Sequence, residues 1–514
     1  MSFPPIAEAL IRRNATDKSF SRGEDYYTSG AVFDLCQRGN LLQARIEGSE
    51  VTPYRVDIGF DAGGITQALC TCPYNFEGWC KHIVATLLTA VRQPQTIEAR
   101  PTLEQLLDRL NPVQTQRLIQ ELVAEHPDLM DAIDRHITLI TAPVSEKRSN
   151  KKAAKTPRRT SIDPAPFRRQ VKQIIRQGIS AVEEGYDEED PITDEIIEVI
   201  DKAQAFTEQG DGNSAIAILE AITSTCADEA DDLSSYMDLY TLLEALDEAW
   251  TEAILSADLT EDQQTDLDVM LAEWQDALDG SFAMSLEALR QGWDYLPLQQ
   301  VLQGHITAQG AWAEEPPDCA DDLALIRLKI LDRQGRDQEY LYLAEAEGQT
   351  TQYLTKLAEL GQTAQAVEAA KDQITTPQEA FALAKVLREQ EHISEALEVA
   401  QLGLALPDIQ HYELADWTSD IAEGLEEPQA ALNARIIAFK IKPSFRDYRL
   451  AEHLAGADWK RVKKELIAAL RRNQEWRAEQ AKIDIFLYEG LIDDAIAATP
   501  TSISSYNMEL VCRV

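Results

Sequence analysis

Basic side chains are scarce in this 514-residue chain: 48 Lys and Arg stand against 88 Asp and Glu, a formal net charge of −40. A uniformly acidic surface repels nucleic acid and anionic membrane alike, so the total by itself argues against a simple phosphate-binding protein. Long apolar runs are also lacking. No stretch reaches the roughly 18 apolar residues needed to span a bilayer, and MSFPPIAEALIRRNATDKSF holds no apolar segment of signal-peptide length. No membrane partner is expected, and the expected location is cytoplasmic. Cysteine is sparse, with seven in the chain, too few for a disulfide scaffold. There is no Gly-rich phosphate loop, Ser/His/Asp nucleophile set or His-Glu-x-x-His pattern. No enzyme and no small-molecule substrate are therefore expected.

What is present can fold. Hydrophobic residues make up 44% and charged residues 26%, a balance that buries a core, and the length implies several domains. The charge is segregated. Residues 1–100 carry 10 basic and 11 acidic side chains, and residues 101–146 carry 3 against 8. Residues 147–176 carry 11 against 1, a net of +10, which leaves −44 for residues 177–514.

In the first hundred residues, 19–30 reads as a short helix stopped by Gly30. Segments 31–37 and 41–47 flank an Arg38-Gly39-Asn40 turn. Segments 54–60 and 65–69 flank Asp61-Ala62-Gly63-Gly64. Tyr54, Val56, Ile58 and Phe60 alternate, so a small antiparallel sheet of about four strands is expected. At its end lies Cys70-Thr71-Cys72-Pro73, followed by a loop and then Cys80-Lys81-His82 opening a helical stretch over 81–91. Cys70 and Cys72 lie two apart in a strand and project to one face. Three sulfurs and one imidazole nitrogen make a closed tetrahedral set for one structural Zn²⁺, with Cys70, Cys72, Cys80 and His82 as ligands. Three thiolates around Zn²⁺ leave −1, which Lys81 and the positive end of the helix offset. A Cys70–Cys72 disulfide would be a strained small ring in a reducing compartment. A catalytic zinc would need an open fourth position. Structural zinc supplies roughly 10 kcal/mol or more of folding energy to so small a core.

The pattern Cys-x-Cys-x7-Cys-x-His, entered by Cys-Thr-Cys-Pro-Tyr and left by Cys-Lys-His-Ile-Val-Ala-Thr-Leu-Leu, resembles the SWIM zinc finger. The upstream Phe20-Ser21-Arg22-Gly23-x-x-Tyr26-x-x-x-Gly30-x-Val32 resembles that family's lead-in. The likeness covers about residues 18–95, and all four ligand positions are intact. It implies a zinc-stabilised ββα-like module that binds DNA or protein and does no catalysis. The family occurs in bacterial Swi/Snf-type helicase partners, Mutator-type transposases and eukaryotic ubiquitin-ligase adaptors, so a helicase is the partner that the resemblance implies.

Residues 103–140 show leucine at helical spacing, broken at Asn111-Pro112 and His126-Pro127; His126 and His136 read as surface or capping residues. Next, Lys147, Arg148, Lys151, Lys152, Lys155, Arg158 and Arg159 sit among Ser, Ala, Thr and Pro, a composition that cannot bury a core. Arg168 and Arg169 carry the charge into a helix starting near Pro166. This arm reads as a solvated tether, as a backbone-directed nucleic-acid contact, or as a counter-ion for the acidic part. From there the chain reads as helical. Gly361-Gln362-Thr363-Ala364-Gln365-Ala366 is echoed from 391, 425, 490 and 210, each with a turn, a polar pair and an alanine where two helices meet. Intervals of 30 and 34 resemble degenerate tetratricopeptide repeats. Trp417 and Trp459 read as inter-helix core.

The expected fold class is thus multidomain: a small α+β zinc-finger domain, antiparallel sheet plus helix, followed by a mostly α-helical solenoid. The expected boundaries are 1–100 for the finger, 101–142 for a short helical extension, 143–166 for a basic linker and 167–514 for the acidic repeats. The expected function is a non-catalytic zinc-binding adaptor. DNA is contacted through the finger and arm, and a protein partner binds the repeats. The alternative is a protein-interaction scaffold with no nucleic-acid role.

Overall fold

The computed structural model describes residues 8–48, 52–74, 78–126, 162–183, 191–236, 239–407 and 411–498. The chain forms two compact units, one of Met1–Glu121 with Leu354–Val514 and one of Leu122–Tyr353.

The first unit opens with α1 (Glu8–Arg13) and α2 (Asp17–Thr28), then β1 (Val32–Arg38), β2 (Leu41–Ile46), β3 (Tyr54–Asp61) and β4 (Gly64–Cys70), then α3 (Lys81–Arg92) and β5 (Glu98–Ala99). The strands expected from period-two patterning fall within about one residue of these bounds. The sheet order is β4-β3-β2-β1-β5. Its first four strands are an antiparallel meander. The fifth strand corrects the four-strand expectation: β5 pairs parallel to β1 through Cys36↔Glu98 and Gln37↔Ala99. Two residues carry no readable alternation, so only the sheet edge reveals them.

Leu42, Ala44 and Ile46 of β2 and Val56, Ile58 and Phe60 of β3 are buried with Val84, Leu87 and Leu88 of α3. Each large aliphatic side chain so buried contributes about 1.5–3 kcal/mol. Thr16 caps α2 by accepting from the Ser19 amide. Gly23 on α2 explains part of the lead-in pattern. A Cβ there would stand 2.4 Å from Val84 Cγ1, so only glycine lets α2 lie this close to α3.

Several of the short turns between helices, from residue 210 onward, repeat one device. Gly210, Gly361, Glu391, Glu426 and Gly490 all take left-handed φ between 59° and 76°. Each donates its amide back to the preceding helix, as in Gly361 N to Ala358 O at 2.8 Å, and the next residue follows, as in Gln362 N to Leu357 O at 2.9 Å. This is the Schellman closure of a helix C-terminus. Five residues on stand Ala215, Ala366, Ala396, Ala431 and Ala495, all fully buried. The repeat placed at 425 from its residues therefore starts at Glu426, one residue later. The backbone turn sets the register there, and Ala431 rather than Ala430 enters the core.

Within this unit the finger docks on the repeats. The β3–β4 turn lies against the helices Pro377–Glu389, Ile393–Leu404 and Tyr412–Gly424. Arg388 donates to the Asp61 carboxylate at 2.7 and 3.1 Å, and Arg13 to Glu423 at 2.7 Å. Gly63 and Gly424 are in backbone contact: a Cβ on Gly424 would stand 2.2 Å from the Gly63 carbonyl oxygen. Trp417 and Trp459 pack into the inter-helix clusters as expected.

The second unit is helical. Trp250 is completely buried and its indole N–H donates to Thr223 Oγ1 at 2.9 Å. Glu252, equally buried, is held between Lys329 and Arg333, each at 2.8 Å. Two cations around one carboxylate compensate the cost of burying it. No helix among the described residues is long and apolar enough to cross a membrane.

Candidate metal centre

The end of β4 and the start of α3 bring four ligands together. Val56↔Cys70 ends the β3–β4 ladder, and Thr71 extends it by donating its amide to Arg55 O at 3.0 Å. The Arg55 amide in turn donates to Thr71 Oγ1 at 3.0 Å. This ties Thr71 to β3, and the chain bends at Thr71 and Cys72 just past the strand end, with both thiols in the donor cluster. Pro73 removes the next ladder donor. The loop returns at Gly78, and the Trp79 amide donates to Asn14 O at 2.5 Å. Tyr74 Oη and Ser19 Oγ lie 3.2 Å apart, tying the other side of the loop to α2. Cys80 is the N-cap of α3, and His82 falls in its first turn.

The donor atoms of Cys70, Cys72, Cys80 and His82 all lie within 4.8 Å of one another. Cys70 Sγ and His82 Nδ1 are 3.7 Å apart. A tetrahedron built on Zn–S of about 2.3 Å and Zn–N of about 2.0 Å has edges of roughly 3.5 to 3.8 Å. The donor set fits zinc in identity, and the Cys70–His82 pair at 3.7 Å has the spacing of such an edge. Cys80 and His82 are buried, whereas Cys70 and Cys72 are half-buried. His82 Nε2 is buried without a hydrogen-bond partner, in a ring held between Tyr26 at 5.3 Å and Tyr54 at 4.6 Å. Water is kept from that nitrogen, and Nδ1 faces the sulfurs as the metal-side donor.

The thiols titrate together. The hydrogen bond from Cys70 holds the Cys80 thiol down to about 4, with backbone N–H groups at the start of α3 assisting. Its partner Cys80, together with burial, pushes Cys70 up, and burial pushes Cys72 up. Zinc binding would displace the protons that these thiols still hold. Lys81 stands beside the site: its Nζ donates to Tyr26 Oη at 2.9 Å and lies 4.5 Å from that ring's centre. The charge expected from Lys81 is therefore placed by Tyr26. Four protein donors leave no open position, so zinc here would hold β4 to α3 and supply folding energy rather than a reactive water.

Tyr54, Asn14, Ser19 and Tyr74 support the site and were not legible as supporting residues. Tyr26 and Tyr74 lie in the motifs quoted from the sequence and Tyr54 in the alternating strand, but nothing there marks a role at the site. The other motifs do not converge on this centre. Arg168 and Arg169 are exposed on the helix Ala165–Glu183 of the second unit. Lys147, Arg148, Lys151, Lys152, Lys155, Arg158 and Arg159 lie outside the described residues, as does His136, while His126 is exposed.

A finger whose ligands come from a strand end and a helix start, with this spacing, is a structural zinc module. Residues 54–90 match the SWIM zinc finger family model, and the chain carries a SWIM zinc finger followed by a helical repeat region. It is similar to zinc finger SWIM domain-containing protein 8 of Homo sapiens, 30% identical over 134 residues, covering 24% of this chain and 7% of that protein. The Bos taurus protein of the same name gives 30% identity over 134 residues, with 9% of its length covered. The Drosophila melanogaster homolog gives 32% over 131 residues, with 6% covered. The chain spans less than a tenth of the length of these relatives.

Proposed function

We propose that this protein is a non-catalytic, zinc-dependent adaptor. Its finger and basic arm contact the nucleic-acid backbone, and its acidic helical repeats hold a protein partner. By resemblance, that partner is of the Swi/Snf-type helicase class. The observation that carries the reading is the segregation of charge: a +10 segment stands inside a chain of −40, with Arg168 and Arg169 exposed at its end. So concentrated a basic stretch attracts phosphate, which the acidic repeats repel. Aromatic residues are few within the arm, so contacts run to phosphates and not to stacked bases.

Fluorescence anisotropy of the full zinc-loaded chain with duplex and single-stranded oligonucleotides tests this. Affinity should fall by about 10³-fold between 50 and 200 mM salt if six or more phosphates are neutralised. Changing Lys147, Arg148, Lys151, Lys152, Lys155, Arg158, Arg159, Arg168 and Arg169 to glutamine should abolish it. Absence of salt-sensitive binding by the unaltered chain sinks the nucleic-acid half. What then stands is a protein-interaction scaffold, the reading favoured by the −44 balance of residues 177–514. A partner captured equally with and without nuclease would mark that case.

A further inference from the structure

The second unit contains a cavity of about 1350 Å³ between the helices Ala230–Tyr236, Leu239–Ser256, Ala283–Gln291 and Ala320–Arg333. Its floor is apolar, with Leu243, Leu278, Met284 and Ile326 all buried. Two large apolar side chains stand out at its mouth, Tyr240 at 64% exposure and Leu325 at 36%. Asp231, Glu244, Glu248, Asp279, Asp318 and Asp322 ring it as exposed carboxylates, and among the described residues no Lys, Arg or His lines it. The seventh acid, Asp247, is committed to structure: its carboxylate accepts from the Met284 and Ser285 amides and from the Ser285 hydroxyl. That bond set pins the start of the helix Ala283–Gln291 as one wall, so the groove is preformed.

We propose that this groove docks a cationic segment of a partner protein, one that offers a bulky apolar side chain flanked by lysine or arginine. This rests on the reading that the repeats hold a protein partner, and it names the chemistry of what is held. The apolar floor has the shape and composition of an anchor pocket. Six carboxylates around it attract a cation and raise its association rate, and they repel phosphate, anionic lipid and a second acidic copy of this chain. Among the described residues no set of these carboxylates converges closely enough to hold a metal ion.

The probe is a short labelled peptide of alternating lysine and leucine, titrated into the full chain. It should bind with an affinity that weakens as salt rises, and peptides with glutamate for lysine or serine for leucine should not bind. Changing Glu244, Glu248, Asp318 and Asp322 to Gln or Asn should weaken binding by about tenfold or more without lowering the melting temperature. Neutralising Glu195, Glu198, Asp201 and Glu208, four exposed acids elsewhere in the unit, should leave binding unchanged. Equal loss in both variants, or leucine-independent binding, overturns the groove as a site and leaves open capture of a partner elsewhere on the repeats. Binding that emerges only after residues 147–159 are neutralised overturns the partner as occupant and assigns the groove to that segment. A partner captured from cell extract by the groove variant as well as by the unaltered chain separates failure of the groove from failure of the adaptor reading.

Discussion

Asp61, at the tip of the β3–β4 turn, accepts two hydrogen bonds from Arg388, 327 residues further along the chain. Both side chains are about one-eighth exposed. With Arg13–Glu423 and the Gly63–Gly424 contact, this pair joins the zinc module to the helical repeats within one unit.

That junction is open to direct test. Asp61→Asn should cost about 2 kcal/mol, because it strands a largely buried guanidinium. Gly424→Ala should act more severely, since its Cβ meets a backbone carbonyl that cannot turn aside. Hydrogen exchange over residues 377–424 should quicken in both variants. Unchanged exchange in Gly424→Ala would show the two parts to be uncoupled in solution.

Cys80→Ala and His82→Ala should each eliminate the bound zinc and unfold residues 20–95. Most helical circular dichroism should survive, because the repeats have cores of their own. Metal analysis showing one zinc per chain in both variants would overturn the ligand assignment.

Glu391 and Glu426 occupy left-handed turn positions that Gly210, Gly361 and Gly490 fill elsewhere. A side chain there costs about 1 kcal/mol, so Glu391→Gly and Glu426→Gly should each raise stability by about that amount. Gly361→Ala should lower it comparably, since a Cβ at that position meets nothing within 4 Å and only the backbone term is felt. Thermal melts of the three variants measure both signs.

Burial pushes the Cys226 thiol up to about 12 from an ordinary value near 9. The folded state therefore holds that proton more tightly than the unfolded chain. Its contribution is complete below about pH 9 and is lost as pH rises toward 12, at about 1.4 kcal/mol per unit. Denaturant titrations of unaltered protein and Cys226→Ala across pH 8–11 should show a steeper decline in the former. Alkylation of Cys226 at pH 8 should likewise require denaturant.

Much of the finger was legible because its signals are local. Alternation at Tyr54–Phe60 fixes which side chains enter the core, and the Arg38-Gly39-Asn40 turn fixes the register of β1 on β2 as far as Cys36↔Gln43, beyond which a bulge shifts it by one residue. The repeats were legible as a pattern but slipped by one residue at Glu426. A glutamate in a left-handed turn carries no composition signal, and only the backbone bond Glu427 N to Ala422 O places it. The two-residue β5 had no pattern to read.

The zinc ligands belong to the sequence alone. Four donors within thirteen residues need only a strand end, a turn and a helix start, all dictated by neighbouring residues. The net charge divides in the same way, residue by residue. Tertiary structure alone decided that Asp61 meets Arg388, that Tyr26 and Tyr54 enclose His82, and that six acids gather around one apolar hollow. Such partners are chosen by packing between separate segments, from 28 residues apart for Tyr54 and His82 to 327 for Asp61 and Arg388, and no local period records the match.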